Sequence, residues 1–164
     1  MATKTPPPAA DQITASFKEL SDSAARLNAV SDEFAKAVAP IEAALKRLNL
    51  GVSAWYAYYA PKPDEDGDYW ERRIGYAKVG GKWGLALATV SGNVSYPDDH
   101  VEQWPFNDAP RWMRVEAIDH VPALLQELVK EANSTASELS KKIGVARELS
   151  VTITALSKDM DGRR

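Results

Sequence analysis

The sequence predicts an α+β protein: long N- and C-terminal helices of coiled-coil or bundle type flanking a small antiparallel β-sheet head. Three observations carry this. Apolar residues near the N-terminus recur at alternating steps of four and three. A central stretch is dense in aromatics, Val and Gly. A second, looser heptad pattern runs toward the C-terminus. The expected division is 1–10 as a disordered lead, 11–49 as a heptad helix and 50–106 as the β head. Residues 107–160 form a helical segment that pairs with the N-terminal helix, and 161–164 a tail.

The first helix rests on the seam Ile13, Phe17, Leu20, Ala24, Leu27, Ser31, Phe34, Val38, Ile41, Leu45 and Leu48. Over about five heptads the spacing never breaks, which is the signature of a helix that needs a partner. Ala, Leu, Lys and Glu dominate the segment and lose little rotamer freedom in a helix. Asn49 and Gly51 close it, as residues that tolerate positive φ. Pro40 removes one intrahelical hydrogen bond, so a bend is expected near Lys36–Ala39; the heptad continues in phase beyond it. The seam residues expected to mediate self-association are Phe17, Leu20, Leu27, Phe34, Val38, Ile41, Leu45 and Leu48. Ala24, Ala35, Ala37, Ala39, Ala43 and Ala44 widen the apolar face, which suits a multi-helix bundle, such as a dimeric four-helix one.

In the head, Val52–Ala60 reads as a strand. Tyr69–Val79 and Lys82–Val90 flank Gly80-Gly81, which predicts a two-residue hairpin. That turn pairs Lys78 with Trp83, Tyr76 with Leu85, Ile74 with Leu87 and Arg72 with Thr89. Ile74, Tyr76, Leu85 and Leu87 then form a buried layer. The opposite face holds Gly75, Ala77, Gly84, Ala86 and Ala88, and is expected to admit a helix or a second sheet close to the backbone. Pro61–Asp68 reads as an acidic loop and Ser91-Gly92-Asn93 as a turn. Short strands are expected near Val94–Tyr96 and Val101–Trp104.

Beyond the head, Asn107 or Asp108 caps a short helix with Pro110 in its first turn. Asp119 reads as the cap of a last helix running to about Lys158. Its seam is Val121, Leu125, Leu128, Ala132, Thr135, Leu139, Ile143, Ala146, Ser150, Ile153 and Met160. Gly144 and Val151-Thr152-Ile153-Thr154 weaken it. The simplest closure is an antiparallel pairing of the two long helices, a stalk of roughly 54 Å. This helix–β–helix order is similar to that of prefoldin subunits, in plan and without a shared sequence motif.

Charge narrows the function. Residues 50–108 carry five basic and nine acidic side chains, so the head lacks the basic excess that binding a phosphate backbone needs. The chain has no cysteine, which removes disulfides and thiolate chemistry; a cytoplasmic setting is expected. No apolar run reaches the roughly 20 residues that span a bilayer, so no membrane partner is expected.

The candidate partner surface is Trp55, Tyr59, Trp70, Arg72, Tyr76, Lys78 and Trp83, where aromatic rings and cations share the head. Such a set is common in protein interfaces. It is also the equipment of a single-strand nucleic-acid binder, which is the alternative reading, with any other anionic ligand. His100 beside Asp98-Asp99, and His120 beside Asp119, read as polar turn chemistry and not as metal ligands. Asp64, Asp66, Gly67 and Asp68 lack the spacing of a calcium loop. No phosphate loop or nucleophile motif appears. No cofactor, metal or catalytic residue is therefore expected, and an enzyme of unspecified reaction is the third reading. The expected function is that of a non-enzymatic scaffold or regulatory protein. Its helices drive self-association to a homodimer or higher oligomer, and its head engages a protein or peptide.

Overall fold

A computed structural model describes residues 9–96 and 98–161, with side chains through residue 158. The expected lead lies almost wholly outside these residues, but Ala9 and Ala10 already belong to the first helix. Of the expected tail, only Asp161 is described, as the last residue of the C-terminal helix. The protein is α+β. Helix α1 (Ala9–Leu48) precedes the antiparallel strands β1 (Ala54–Tyr59), β2 (Asp68–Val79), β3 (Lys82–Asn93) and β4 (His100–Pro105). Helices α2 (Arg111–Ala117) and α3 (Val121–Asp161) follow. The chain divides into two units, residues 1–44 and 45–164.

In the first unit, α1 is continuous through Pro40, so the proline does not end the helix. Its seam changes character along its length. Ile13, Phe17, Leu20 and Leu27 are 50–71% exposed, whereas Val38 is buried and Phe34 and Ile41 are half-buried.

The second unit begins with the end of α1, where Leu45 is buried and Leu48 exposed. Asn49 takes a left-handed conformation (φ 48°) and its N–H bonds back to the Lys46 carbonyl, which stops the helix. The sheet order is β1-β2-β3-β4, each strand antiparallel to the next. Gly80 and Gly81 both have positive φ (57° and 82°), the conformation that a tight hairpin turn requires and side chains resist. The register is the one this turn dictates: Lys78↔Trp83, Tyr76↔Leu85, Ile74↔Leu87, Arg72↔Thr89.

The hairpin is longer than the sequence suggests. Ser91-Gly92-Asn93 does not turn; it completes β3 opposite Asp68-Tyr69-Trp70. The turn falls instead at Val94–Tyr96, where a strand was expected. The Asn93 side chain explains the shift. It donates to the Asp66 carbonyl (2.9 Å) and the Asp68 carboxylate (2.7 Å), and its oxygen accepts from the Ser95 N–H (2.8 Å). One amide thus ties the end of β3 to the start of β2 and shapes the turn after it.

Both sheet faces are buried, the opposite one at Ala77, Ala86, Ala88 and Val90, and the large core side chains lie on the face that the later helices cover. Ile74, Leu85, Leu87, Phe106, Met113 and Leu124 are fully buried, with Phe106 in a short 3-10 turn after β4. Residues from that turn, α2 and the first turns of α3 pack on the strands. Asp119 is not a helix cap. It sits in a 3-10 turn, Ile118–His120, that runs directly into α3, and Ile118 is already in the helical region. A cap residue needs extended backbone, which this continuous turn lacks. On the other face, the benzo ring of Trp55 covers Gly75: a Cβ there would stand 2.3 Å from Trp55 Cε3. What approaches the small-residue stripe at Gly75 is thus a ring from the neighbouring strand.

Candidate aromatic–arginine site

The sequence-designated surface separates into three places. Tyr59, Trp70 and Arg72 come together on the core-side face, at the β1–β2 end of the sheet. Tyr76 is buried and stacks on Trp83 (5.6 Å between centroids, 22°), with Lys78 opposite Trp83 in the ladder. Trp55 is on the other face, over Gly75.

The first group is a built cluster. A bulge in β1 creates it: Ala57 pairs with Arg73, but Tyr59 pairs with Arg72, so Tyr58 is an extra residue. A bulge breaks the strict alternation of side chains. Tyr58 stacks on His120 (5.1 Å, 13°), while Tyr59 lies against Trp70 (4.6 Å, 32°). The Arg72 guanidinium sits 4.3 Å from the Tyr59 ring, 4.9 Å from Trp70 and 5.2 Å from Trp112. These are cation–π distances. Arg72 also donates to the Glu116 carboxylate.

Trp112 and Glu116 were missed from the sequence. Their signal was there: they stand four apart on α2 and so share a helix face. What the sequence could not supply was the placement of α2 against the end of β2.

The cluster mixes a neutral interior with an apolar rim. Arg72 is largely covered and charge-compensated by Glu116, so it offers little to a phosphate. Trp70 and Trp112 remain 43% and 56% exposed. The Tyr58 hydroxyl and Arg72 Nε are buried with no hydrogen-bond partner among the described residues. Burial, with the Glu116 charge adding to it, pushes the Tyr58 phenol up to about 12, against the smaller opposing effect of Arg72. Tyr58 is therefore a neutral phenol at ordinary pH, unsuited to act as a base. The arrangement is a half-exposed aromatic surface over a largely covered cation that is paired with Glu116.

The two histidines are elsewhere engaged. His120 stacks on Tyr58 and lies 6.0 Å from the Tyr56 ring, and His100 is 3.3 Å from Glu102 on the surface. In the acidic loop, Asp64 accepts the Asp66 and Asp68 N–H groups (3.0 and 2.8 Å), so its carboxylate builds the turn. Among the described residues, no three His, Asp or Glu side chains are grouped to hold a metal ion. Nor is any helix of the described residues long and apolar enough to cross a membrane. Comparison with protein-family models, with curated proteins and with solved structures gives no match.

Proposed function

We propose that this chain is a non-enzymatic interaction protein that self-associates through its long helices and holds a protein or peptide partner on the head. The observation that carries the reading is the exposure of Ile13, Phe17, Leu20 and Leu27, four large apolar side chains on one heptad stripe. Such a stripe gains stability only when covered, and helix pairing into a coiled coil or bundle covers it. A cytoplasmic setting goes with this reading, since the chain uses no disulfide.

The partner surface is Tyr59, Trp70 and Trp112 around Arg72. Trp, Tyr and Arg are the residue types that dominate binding hot spots, and here three half-exposed rings gather around one paired arginine. The acidic balance of the head favours a basic peptide over a phosphate-bearing ligand, and Arg72 is already neutralised by Glu116. Light scattering on the intact protein over a range of concentrations tests the self-association. Mass above the 18.0 kDa monomer supports it, and a monomer at every concentration removes it.

A further inference from the structure

Two stretches of helix carry apolar residues in the open. Every residue of 9–30 in α1 is exposed, and so is every residue of 136–158 in α3. Each is about 33–35 Å of helix. In proteins most of a helix's stability comes from packing of its apolar face, which neither stretch has here. The α3 stretch is worse placed, with Gly144 inside it and four consecutive β-branched residues, 151–154.

The pattern around each helix shows how much of it is to be covered. At about 100° per residue, Asp11, Lys18, Glu19, Asp22 and Arg26 all fall within an arc of about 100°. The rest of that circumference is uncharged. In α3, Leu139, Ile143, Val145, Leu149, Ile153 and Leu156 spread over about half the circumference. A stripe for one partner helix is narrower than this, so each arm has apolar surface enough to seat a partner helix.

A second copy of the chain is a sufficient partner. The large apolar side chains exposed on the two arms amount to on the order of 1,000 Å² per chain, above the ~800 Å² per side of a standard interface. Charge selects which arm meets which. Residues 9–30 hold two basic and three acidic side chains, and 136–158 hold four basic and two acidic. Pairing two α3 arms sets a surplus of two positive charges against its equal. Pairing α1 with α3 sets opposite signs together. Lys141 and Arg147 flank the α3 stripe, while α1 flanks its own with Ser16, Ser21, Ser23 and Asn28, which repel neither.

Resting on the self-association proposed above, we infer that the α1 arm of one copy docks on the α3 arm of a second. A two-fold axis repeats the contact, and residues 136–158 owe their helical stability to it. The chain has no cysteine, so single-cysteine variants report cleanly. Ile13, Leu20 or Leu27→Cys is mixed with Leu139, Ile143 or Ile153→Cys and joined by a short bis-maleimide. Mixed α1–α3 products are expected to exceed like-with-like products severalfold. Dominant like-with-like products, or no mixed product in any pairing, with a dimer mass retained, would overturn the inference and leave self-association standing. A monomer mass removes both. The Leu149→Lys/Ile153→Lys variant changes only exposed residues, so the head still folds. It is expected to lose the dimer and the ellipticity of about 20 helical residues. Retention of either overturns the inference.

Discussion

The benzo ring of Trp55 occupies the space above Gly75 that any side chain there would need, with Trp55 Cε3 2.3 Å from the position of a Cβ. Glycine at 75 and tryptophan at 55 are thus a matched pair across the β1–β2 ladder, where they are direct register partners. Gly75→Ala is expected to destabilise by about 1–3 kcal/mol through forced displacement of the ring. In a Trp55→Ala background the same change is expected to cost less than about 1 kcal/mol, a coupling that urea unfolding of the four proteins measures. Equal costs in both backgrounds would mean that the ring does not set the requirement.

Arg72 is held by three rings and one carboxylate. Arg72→Ala is expected to cost about 1–3 kcal/mol, since it empties the cluster and frees Glu116. Arg72→Lys keeps the charge but not the planar group that lies on the rings, and is expected to cost about 1 kcal/mol. Glu116→Gln is expected to cost less than either, because the carboxylate is 41% exposed and such pairs contribute little. Denaturant melts followed by tryptophan fluorescence give the order, and a Glu116 variant worse than Arg72→Ala would reverse the argument.

Tyr58 carries a buried hydroxyl with no partner among the described residues. Removing it in Tyr58→Phe is expected to leave stability unchanged or raise it by up to about 1 kcal/mol. Its phenol is raised to about 12 from an unfolded value of 10.0, so the folded state holds this proton more tightly. The resulting stability is complete below pH 10 and is lost as pH rises from 10 through 12. Ultraviolet titration of tyrosinate in the folded protein is expected to show a late step that Tyr58→Phe abolishes. The same late step in the variant would assign it to another tyrosine.

At Gly80 the backbone, and not crowding, sets the requirement: nothing lies within 4 Å of a Cβ there, but φ is +57°. Gly80→Asn is expected to cost a few tenths of a kcal/mol and Gly80→Val about 1–2 kcal/mol, because a β-branched side chain resists that conformation most. Thermal melts rank them, and equal melting temperatures would show that the turn changes type.

These residues also show what the sequence makes legible. Gly80-Gly81 dictates the hairpin register because a two-residue turn leaves no freedom in pairing, and alternation then assigns Ile74, Leu85 and Leu87 to the core. Tyr58 and Tyr59 defeat the same logic, because a bulge is one unpaired residue and has no compositional mark. Asn93 reads as a turn former, a residue type that favours turns; its amide instead clamps two strands, a long-range bond that local patterning does not carry. The seam of α1 is uniform as sequence, yet Leu27 is exposed and Val38 buried. Periodicity gives the face of a helix and not where along its length that face is buried.

The most direct measurement is sedimentation equilibrium of the intact protein at micromolar concentration, beside Leu27→Lys. Leu27 is half exposed, so the lysine leaves the fold intact while placing a charge in the stripe. The expected result is twice the 18.0 kDa chain mass or more for the wild type, falling toward 18.0 kDa in Leu27→Lys. A wild-type protein that sediments as a sharp 18.0 kDa species contradicts self-association through the helices.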